Sequence, residues 1–303
     1  MEELLSSELI ARVSHLDVSS RKLFAGKLKG ERRSKKRGES VEFADHRPYA
    51  IGDDLRHIDW NIYGRLDRFF MKLFMEEEDL SLHIVIDASA SADCGTPNKF
   101  FYMQQVAMTM GYIGLVNLNR VAVTAVGMRD ELVIPGGENS IAGNIRDLRG
   151  RRRTQDLARF LCSIQPEDST DFTAAAKRIA MNRRGKGVMI VLSDFFMKEG
   201  YETGLRLLVG RGYDVFAIQV LSPQEVEPDI AGDLMLRDIE DGDHAEVTIS
   251  APLLKKYKQN LAAYCQQLRD YCARREITAL TVQTDTPVDT LLLDYLRKRG
   301  LLR

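Results

Sequence analysis

The stretch Leu82 to Gly95, LHIVIDASASADCG, runs apolar for several residues and then places Asp87, Ser89 and Ser91 at alternate positions. A carboxylate and two hydroxyls closing an apolar run of strand length are oxygen donors delivered to the tip of a buried strand. Two other segments share this character. The loop EDSTDFTAAAK carries Thr170 and Thr173 towards a helix, and VMIVLSDFF is an apolar run ending in Ser193 and Asp194. In parallel α/β sheets, ligands collect at the carboxyl ends of the strands. A hard cation such as Mg²⁺ takes oxygen ligands in an octahedron and keeps some waters. Mn²⁺ suits the same donors. One or two carboxylates plus hydroxyls would hold such an ion and leave a position open for an acidic group from a partner. Helix capping is a simpler role for the two serines, but it leaves Asp194 at a second strand tip unexplained.

The elements that must position these residues follow from the periodicity. LHIVIDAS reads as a strand, NKFFYMQQVAMTMGYIGLVN as a helix and RVAVTAVG as a strand, with DELVIPGG as its hairpin partner after a turn at Met128–Asp130. Residues 138–164 read as helical, broken near RGRRR, and 171–183 as a helix. GVMIVLSDFF and YDVFAIQVLS read as strands separated by the helix YETGLRLLVGRG. LMLRDIEDGDHAEVTIS alternates around an Asp-Gly turn as a hairpin. A long helix starts near Pro252, and ITALTVQTD and PVDTLLLDYLRKRG close the chain as a strand and a helix. Strands alternating with helices predict a doubly wound, mainly parallel α/β sheet covered on both faces. Upstream, residues 3–29 carry helical spacing. KGERRSKKRGES then holds six basic residues between Lys29 and Arg37 and reads as a solvated basic loop. The expected organisation is therefore an N-terminal helix and basic loop (1–37), a charged, partly β segment (38–79), and a main domain (80–303).

Composition narrows the functional classes. The 303 residues are 44% hydrophobic and 29% charged, with a formal net charge of −1, so no whole-molecule field draws the protein to nucleic acid or membrane. The four cysteines form no CxxC pair and no cysteine–histidine cluster, which argues against structural zinc and for reduced thiols. No apolar run approaches the ~20 residues of a membrane span, and the N-terminus lacks the basic and apolar regions of a secretory signal. A cytoplasmic location is the expectation. No GxxxxGK[ST] loop is present, so ATP hydrolysis would belong to a partner.

With its order of Asp87-x-Ser89-x-Ser91, a loop threonine and Asp194, the sequence resembles the von Willebrand factor A-type fold and its metal-ion-dependent adhesion site. The resemblance implies direct coordination by the serines and threonine, and coordination by one or both aspartates through water. STDFTAAAKRIA resembles the family's threonine loop, which selects Thr170. Where the family has two glycines this chain has Asp168 and Ser169, so Thr173 remains an alternative. The segment EFADHRPYAIGDDLRHIDWNIYGRLDRFFMKLF resembles the signature of the domain-of-unknown-function 58 family. Phe43, Arg47, Tyr49, Gly52, Asp53, Asp54, Arg56, Ile58, Asp59 and Trp60 match it. That family is associated with MoxR-type AAA+ ATPases in assembling or activating client proteins.

Physically, Gly52 permits a tight turn, while Asp53, Asp54 and Asp59 are placed to pair with Arg47, Arg56 and Arg65. Arg47, Tyr49, Gly52, Asp53, Asp54, Arg56, Asp59 and Trp60 are thus a partner-binding or structural signature. The functional expectation is a non-enzymatic, divalent-metal-dependent protein-binding module, serving a MoxR-type AAA+ ATPase and its client. A metal-dependent phosphohydrolase using Asp87 is the alternative. It needs a second carboxylate two residues on as acid–base, and position 89 is serine. Nucleic-acid binding through Arg32 to Arg37 is a third class, expected to show steep salt dependence.

Overall fold

The structure, a computed structural model, describes residues 4–20, 43–51, 53–74, 80–127, 141–166, 169, 171–181, 187–239 and 244–303. The chain divides into two compact units. One comprises Met1–Lys27 with Asp79–Arg303, and the other Leu28–Glu78. The basic loop, the proposed hairpin partner DELVIPGG with its turn, Gly52 and Thr170 lie outside the described residues.

The larger unit is built on a six-stranded sheet. Its strands are β3 (Ser81–Asp87), β4 (Arg120–Val126), β5 (Ile141–Leu148), β6 (Gly187–Ser193), β7 (Asp214–Leu221) and β10 (Thr278–Gln283). They lie in the order β10-β7-β6-β3-β4-β5. All neighbours are parallel except β5, which runs antiparallel to β4. The central strands are buried on both faces, which is why they read as continuous apolar runs. Alternate residues serve two separate cores. Leu82, Ile84, Ile86, Val188, Ile190 and Leu192 join Phe216, Ile218 and Val220 in one core. Val85, Met189, Val191, Val215 and Ala217 join the other.

Helices cover both faces. The first core takes the helix Lys99–Val116 (here α3, following α1 and α2 below) and the helix Thr154–Ser163 (α4). The second takes α5 (Phe172–Met181), α6 (Glu202–Gly210) and the long α8 (Ala251–Ala273), while α7 (Pro223–Val226) is a single turn after β7. The chain ends in α9, Val288–Thr290 continuing as a π-helical turn Leu291–Leu296. The anticipated hairpin is present as β8 (Gly232–Arg237) and β9 (His244–Ile249), paired antiparallel. The doubly wound, mainly parallel α/β architecture expected from the sequence is the one found.

Two local expectations differ. Residues 141–148 are strand β5, not helix. Ile141, Ile145 and Leu148 fall at helical spacing, but Ala-Gly-Asn between them is a poor helix former, and the open edge of β4 offers a backbone partner along the whole stretch. Tertiary pairing overrides a weak local period. At the N-terminus the helix is short: α1 spans Ser7–Val13, N-capped by the Ser6 hydroxyl, which accepts from the Leu9 N–H. The segment belongs to the main domain's core through Leu4, Leu5, Val13, Leu16 and Val18. Val18 bridges to Leu302 antiparallel, and Asp17 and Arg303 exchange backbone hydrogen bonds, so the two ends of the chain are joined and the expected boundary at residue 37 does not separate a free N-terminal helix.

The smaller unit holds β1 (Phe43–Pro48), a 3₁₀ turn (Leu55–His57), α2 (Trp60–Leu66) and β2 (Phe70–Phe74), with β1 and β2 antiparallel. The partly β character expected of this segment is present.

Within the sheet, His83 on β3 is buried, with Nε2 2.8 Å from the Thr124 hydroxyl. Burial first, and the Arg146 charge second, push its pKa from 6.5 down to about 4. The folded protein therefore keeps His83 neutral where the unfolded chain takes up a proton. The resulting stability is fully present above pH 6.5 and falls as pH is lowered from there towards 4, by up to about 3 kcal/mol. Urea unfolding across this range should show a smaller acid-side loss for His83→Gln than for the wild type. Identical pH dependence in the two proteins would remove His83 as the cause.

Candidate metal centre at the strand tips

The order of strands fixes where a ligand site can form. From β3 the chain moves outward through β4 to β5, then returns to β6 on the other side of β3. In such a sheet ligands bind at the carboxyl ends of the strands where the direction of winding reverses, and here those are the ends of β3 and β6. Asp87 closes β3, and Ser193 and Asp194 close β6.

The side chains there are joined. Ser193 Oγ donates to Asp87 Oδ2 at 2.6 Å and accepts from the Phe195 N–H at 2.9 Å. Asp87 Oδ1 accepts from the Ser89 N–H at 3.1 Å, which turns the chain back over the strand tip. The Ser89 and Ser91 hydroxyls then hydrogen-bond to each other at 3.0 Å. Asp87, Ser89 and Asp194 are buried and Ser91 half-buried. Asp194 Oδ1 accepts from the Phe196 N–H at 2.9 Å, and its backbone carbonyl accepts from Gln219 at 3.0 Å.

Sequence reasoning missed the partner on the other oxygen of Asp194. Lys99, the first residue of α3, sends its side chain to these strand ends. Its Nζ donates to Asp194 Oδ2 at 2.6 Å and to Glu225 Oε1 at 2.7 Å, with the lysine side chain 1% exposed. Glu225 is held in turn by a capping box at α7: its Oε2 accepts from the Ser222 N–H and hydroxyl, and Ser222 Oγ accepts from the Glu225 N–H. The approach of the two loops depends on Gly95. Its φ is +84°, and a Cβ there would lie 2.4 Å from that of Ser222. The signals that point to this triad are a lysine opening a helix that is otherwise uncharged, and the Ser222-Pro-Gln-Glu225 capping pattern.

The electrostatics follow from this packing. Burial raises the Asp194 pKa to about 6, with Lys99 opposing the shift and Asp87 adding to it. Burial disfavours the charge on Lys99, but Asp194 and Glu225 outweigh it and the pKa is raised. Cys94, beside this loop, has its thiol pKa raised chiefly by burial, in keeping with an unreactive residue.

Of the five residues expected to hold the ion, Asp87, Ser89 and Ser91 lie at and just after the end of β3, and Asp194 just after the end of the neighbouring β6. Thr170 lies outside the described residues. Thr173 is the second residue of α5, half-buried. The donors present fit a hard cation: they are all oxygens, and the hydroxyl pair at 3.0 Å matches the ~2.9–3.0 Å between adjacent corners of an octahedron with ~2.0–2.1 Å bonds.

The signature segment has its own network in the smaller unit. Arg47 grips Asp53 with two hydrogen bonds of 2.7 Å, and Arg56 pairs with Asp54 at 2.6 Å. Asp59 does not pair with Arg65 as expected. It N-caps α2 through the Asn61 and Ile62 N–H groups, with His46 at 2.9 Å and Lys72 at 3.6 Å on its other oxygen. The His46 hydrogen bond is the main reason its pKa falls to about 2. β1 and β2 are adjacent, so His46 opposite Lys72 is nearer the cap than Arg65 on the helix. Tyr63 stacks on Phe69 with centroids 4.6 Å apart, and Trp60 meets both edge-on while remaining 61% exposed. Tyr49 packs edge-on to Phe69.

A doubly wound sheet with an antiparallel edge strand, and oxygen donors at its switch point, defines a von Willebrand factor A-like domain. Residues 45–267 match the family described as "Protein of unknown function DUF58", and the chain belongs to that family. An uncharacterised protein of Mycobacterium tuberculosis is 24% identical over 302 residues, covering 97% of this chain and 92% of that protein. Among solved structures, the conserved hypothetical protein BatB of Bacteroides thetaiotaomicron is similar at 13% identity and a TM-score of 0.43, covering 72% of this chain and 98% of BatB. The pilus adhesin SpaC of Lactobacillus rhamnosus is similar at 11% identity and a TM-score of 0.45, covering 75% of this chain and 31% of SpaC. No helix among the described residues is long and apolar enough to cross a membrane.

Removing the buried cation should be costly. Lys99→Met leaves Asp194 and Glu225 without their ammonium and is expected to lower unfolding stability by about 3–5 kcal/mol. Adding Asp194→Asn and Glu225→Gln should recover most of that loss in urea titrations. If the triple variant were no more stable than the single one, the triad would not be the origin of the cost.

Proposed function

We propose that this protein is a non-enzymatic, divalent-metal-dependent protein-binding module. Mg²⁺, or Mn²⁺ in its place, is held at the strand tips by Asp87, Ser89, Ser91 and Asp194, with Thr170 as the loop ligand. The observation that carries this reading is the grouping of carboxylate and neutral hydroxyl oxygens at the reversal point of the sheet, with Ser89 and Ser91 at octahedral spacing. Hydroxyl ligands bring no charge, so the ion they hold stays electron-poor. An acidic side chain from a partner protein then supplies both a ligand and a charge.

The partner that fits is a MoxR-type AAA+ ATPase acting with this protein on a client, in the cytoplasm. Support for that assignment is the resemblance of residues 43–60 to the family signature, together with the absence of a nucleotide-binding GxxxxGK[ST] loop in this chain. Catalysis is disfavoured because the acid–base carboxylate of an aspartate-nucleophile phosphatase is replaced by Ser89, while Asp194 is committed to Lys99.

Combining Ser89→Ala with Ser91→Ala should weaken binding to the cognate ATPase or client by about tenfold or more, a loss of about 1.4 kcal/mol. EDTA should do the same to the wild type, and thermal melting should show both proteins folded. Unchanged pull-down under both treatments would reject metal-bridged recognition. With Mg²⁺ or Mn²⁺ present, hydrolysis of p-nitrophenyl phosphate should stay at background. Turnover lost in Asp87→Ala would instead establish the phosphohydrolase.

A further inference from the structure

Lys99 is among the largest fully buried side chains of the described residues, alongside Phe195 and Phe216. An ammonium in that position carries a desolvation cost that a methionine filling similar volume would not. Its placement bears directly on the metal centre. Both oxygens of Asp194 already accept from protein donors, one from Lys99 Nζ at 2.6 Å and the other from the Phe196 N–H at 2.9 Å. Glu225 stands on the ammonium too, at 2.7 Å, with its second oxygen engaged by Ser222. Around the strand ends, Asp87, Asp194 and Glu225 contribute three negative charges and Lys99 returns one positive charge, in contact with a candidate ligand. A divalent ion entering there meets the repulsion of a fixed cation and a carboxylate already neutralised in part.

We propose that Lys99 is an internal counter-cation that holds the divalent-ion affinity of the strand-tip site low. This rests on the metal-binding reading above and adds its control. The charge that Lys99 cancels is the charge that an acidic group from the partner restores, so ion and partner stabilise each other's binding. A lysine is suited to this because its charge sits at one point and its three donors fix it between the two carboxylates.

Mn²⁺ alone, titrated into the full chain and followed by electron paramagnetic resonance, tests the idea. A pH of about 8 limits protonation of a carboxylate freed from its lysine. Combining Lys99→Met with Glu225→Gln leaves the net charge unchanged but frees the Asp194 oxygen that the ammonium holds at 2.6 Å, and should tighten Mn²⁺ binding at least about tenfold. Glu225→Gln leaves the ammonium to Asp194 alone and should weaken binding by about threefold or more. A folded double variant with unchanged or weaker Mn²⁺ affinity overturns the proposal while leaving the metal reading intact. Should the double variant not fold, Glu225→Gln decides, and an unchanged affinity in it overturns the proposal. If neither the wild type nor any folded variant binds Mn²⁺, the metal reading falls and the proposal with it.

Discussion

A parallel sheet whose winding reverses between two central strands leaves a crevice that neither run of crossovers covers. In this protein that constraint decides where polar side chains can sit. β3 and β6 are buried on both faces, so their residues are committed to one core or the other until the strands end. Register is strongly specified, because a slip of one residue would exchange the two cores. The first positions released from that commitment are Asp87 and Ser193–Asp194. They meet because β3 and β6 are direct neighbours, with Ile86 opposite Leu192 one residue earlier.

A buried carboxylate pair of like charge at such a place needs compensation, and the fold supplies it from three directions. Backbone N–H groups of Ser89 and Phe196 reach one oxygen of each aspartate. The Ser193 hydroxyl takes the second oxygen of Asp87. A full positive charge, on Lys99, takes the second oxygen of Asp194. The Asp194 pKa of about 6 shows that burial still outweighs this help. The lysine is anchored by Glu225, whose own orientation comes from a one-turn helix with a complete capping box. Geometry at the strand tip is therefore set partly by residues more than a hundred positions away in sequence.

What was legible in the sequence was what depends on local pattern. Apolar strands of seven or eight residues, the donors at their ends, the Asp-Gly hairpin and the long helix after Pro252 all carry their signal within a short window. The features that were not legible depend on distant partners. β5 has helical spacing at Ile141, Ile145 and Leu148, and only the free edge of β4 makes it a strand. Asp59 has arginines nearby in sequence, yet strand pairing brings His46 and Lys72 to it. The N-terminal residues read as a long separate helix, whereas Val18 pairs with Leu302 at the other end of the chain. Nothing near Lys99 in the sequence names its partners, since Asp194 and Glu225 are brought to it by β6 and by the turn after β7.

The same arrangement bears on whether the crevice holds or reacts. A nucleophilic or basic carboxylate needs an oxygen directed at the substrate with its basicity intact. Here each oxygen of Asp87 and of Asp194 already accepts a hydrogen bond from the protein, and one of the four comes from an ammonium. Donors arranged in this way fix the orientation of both carboxylates. The hydroxyls of Ser89 and Ser91 are the complementary part: neutral, hydrogen-bonded to each other, and with lone pairs that a cation could use. Carboxylates tied back by the protein and hydroxyls at the tip suit an ion held through neutral oxygen and water. On the reading proposed above, such an ion would offer a contact for an acidic group on another protein.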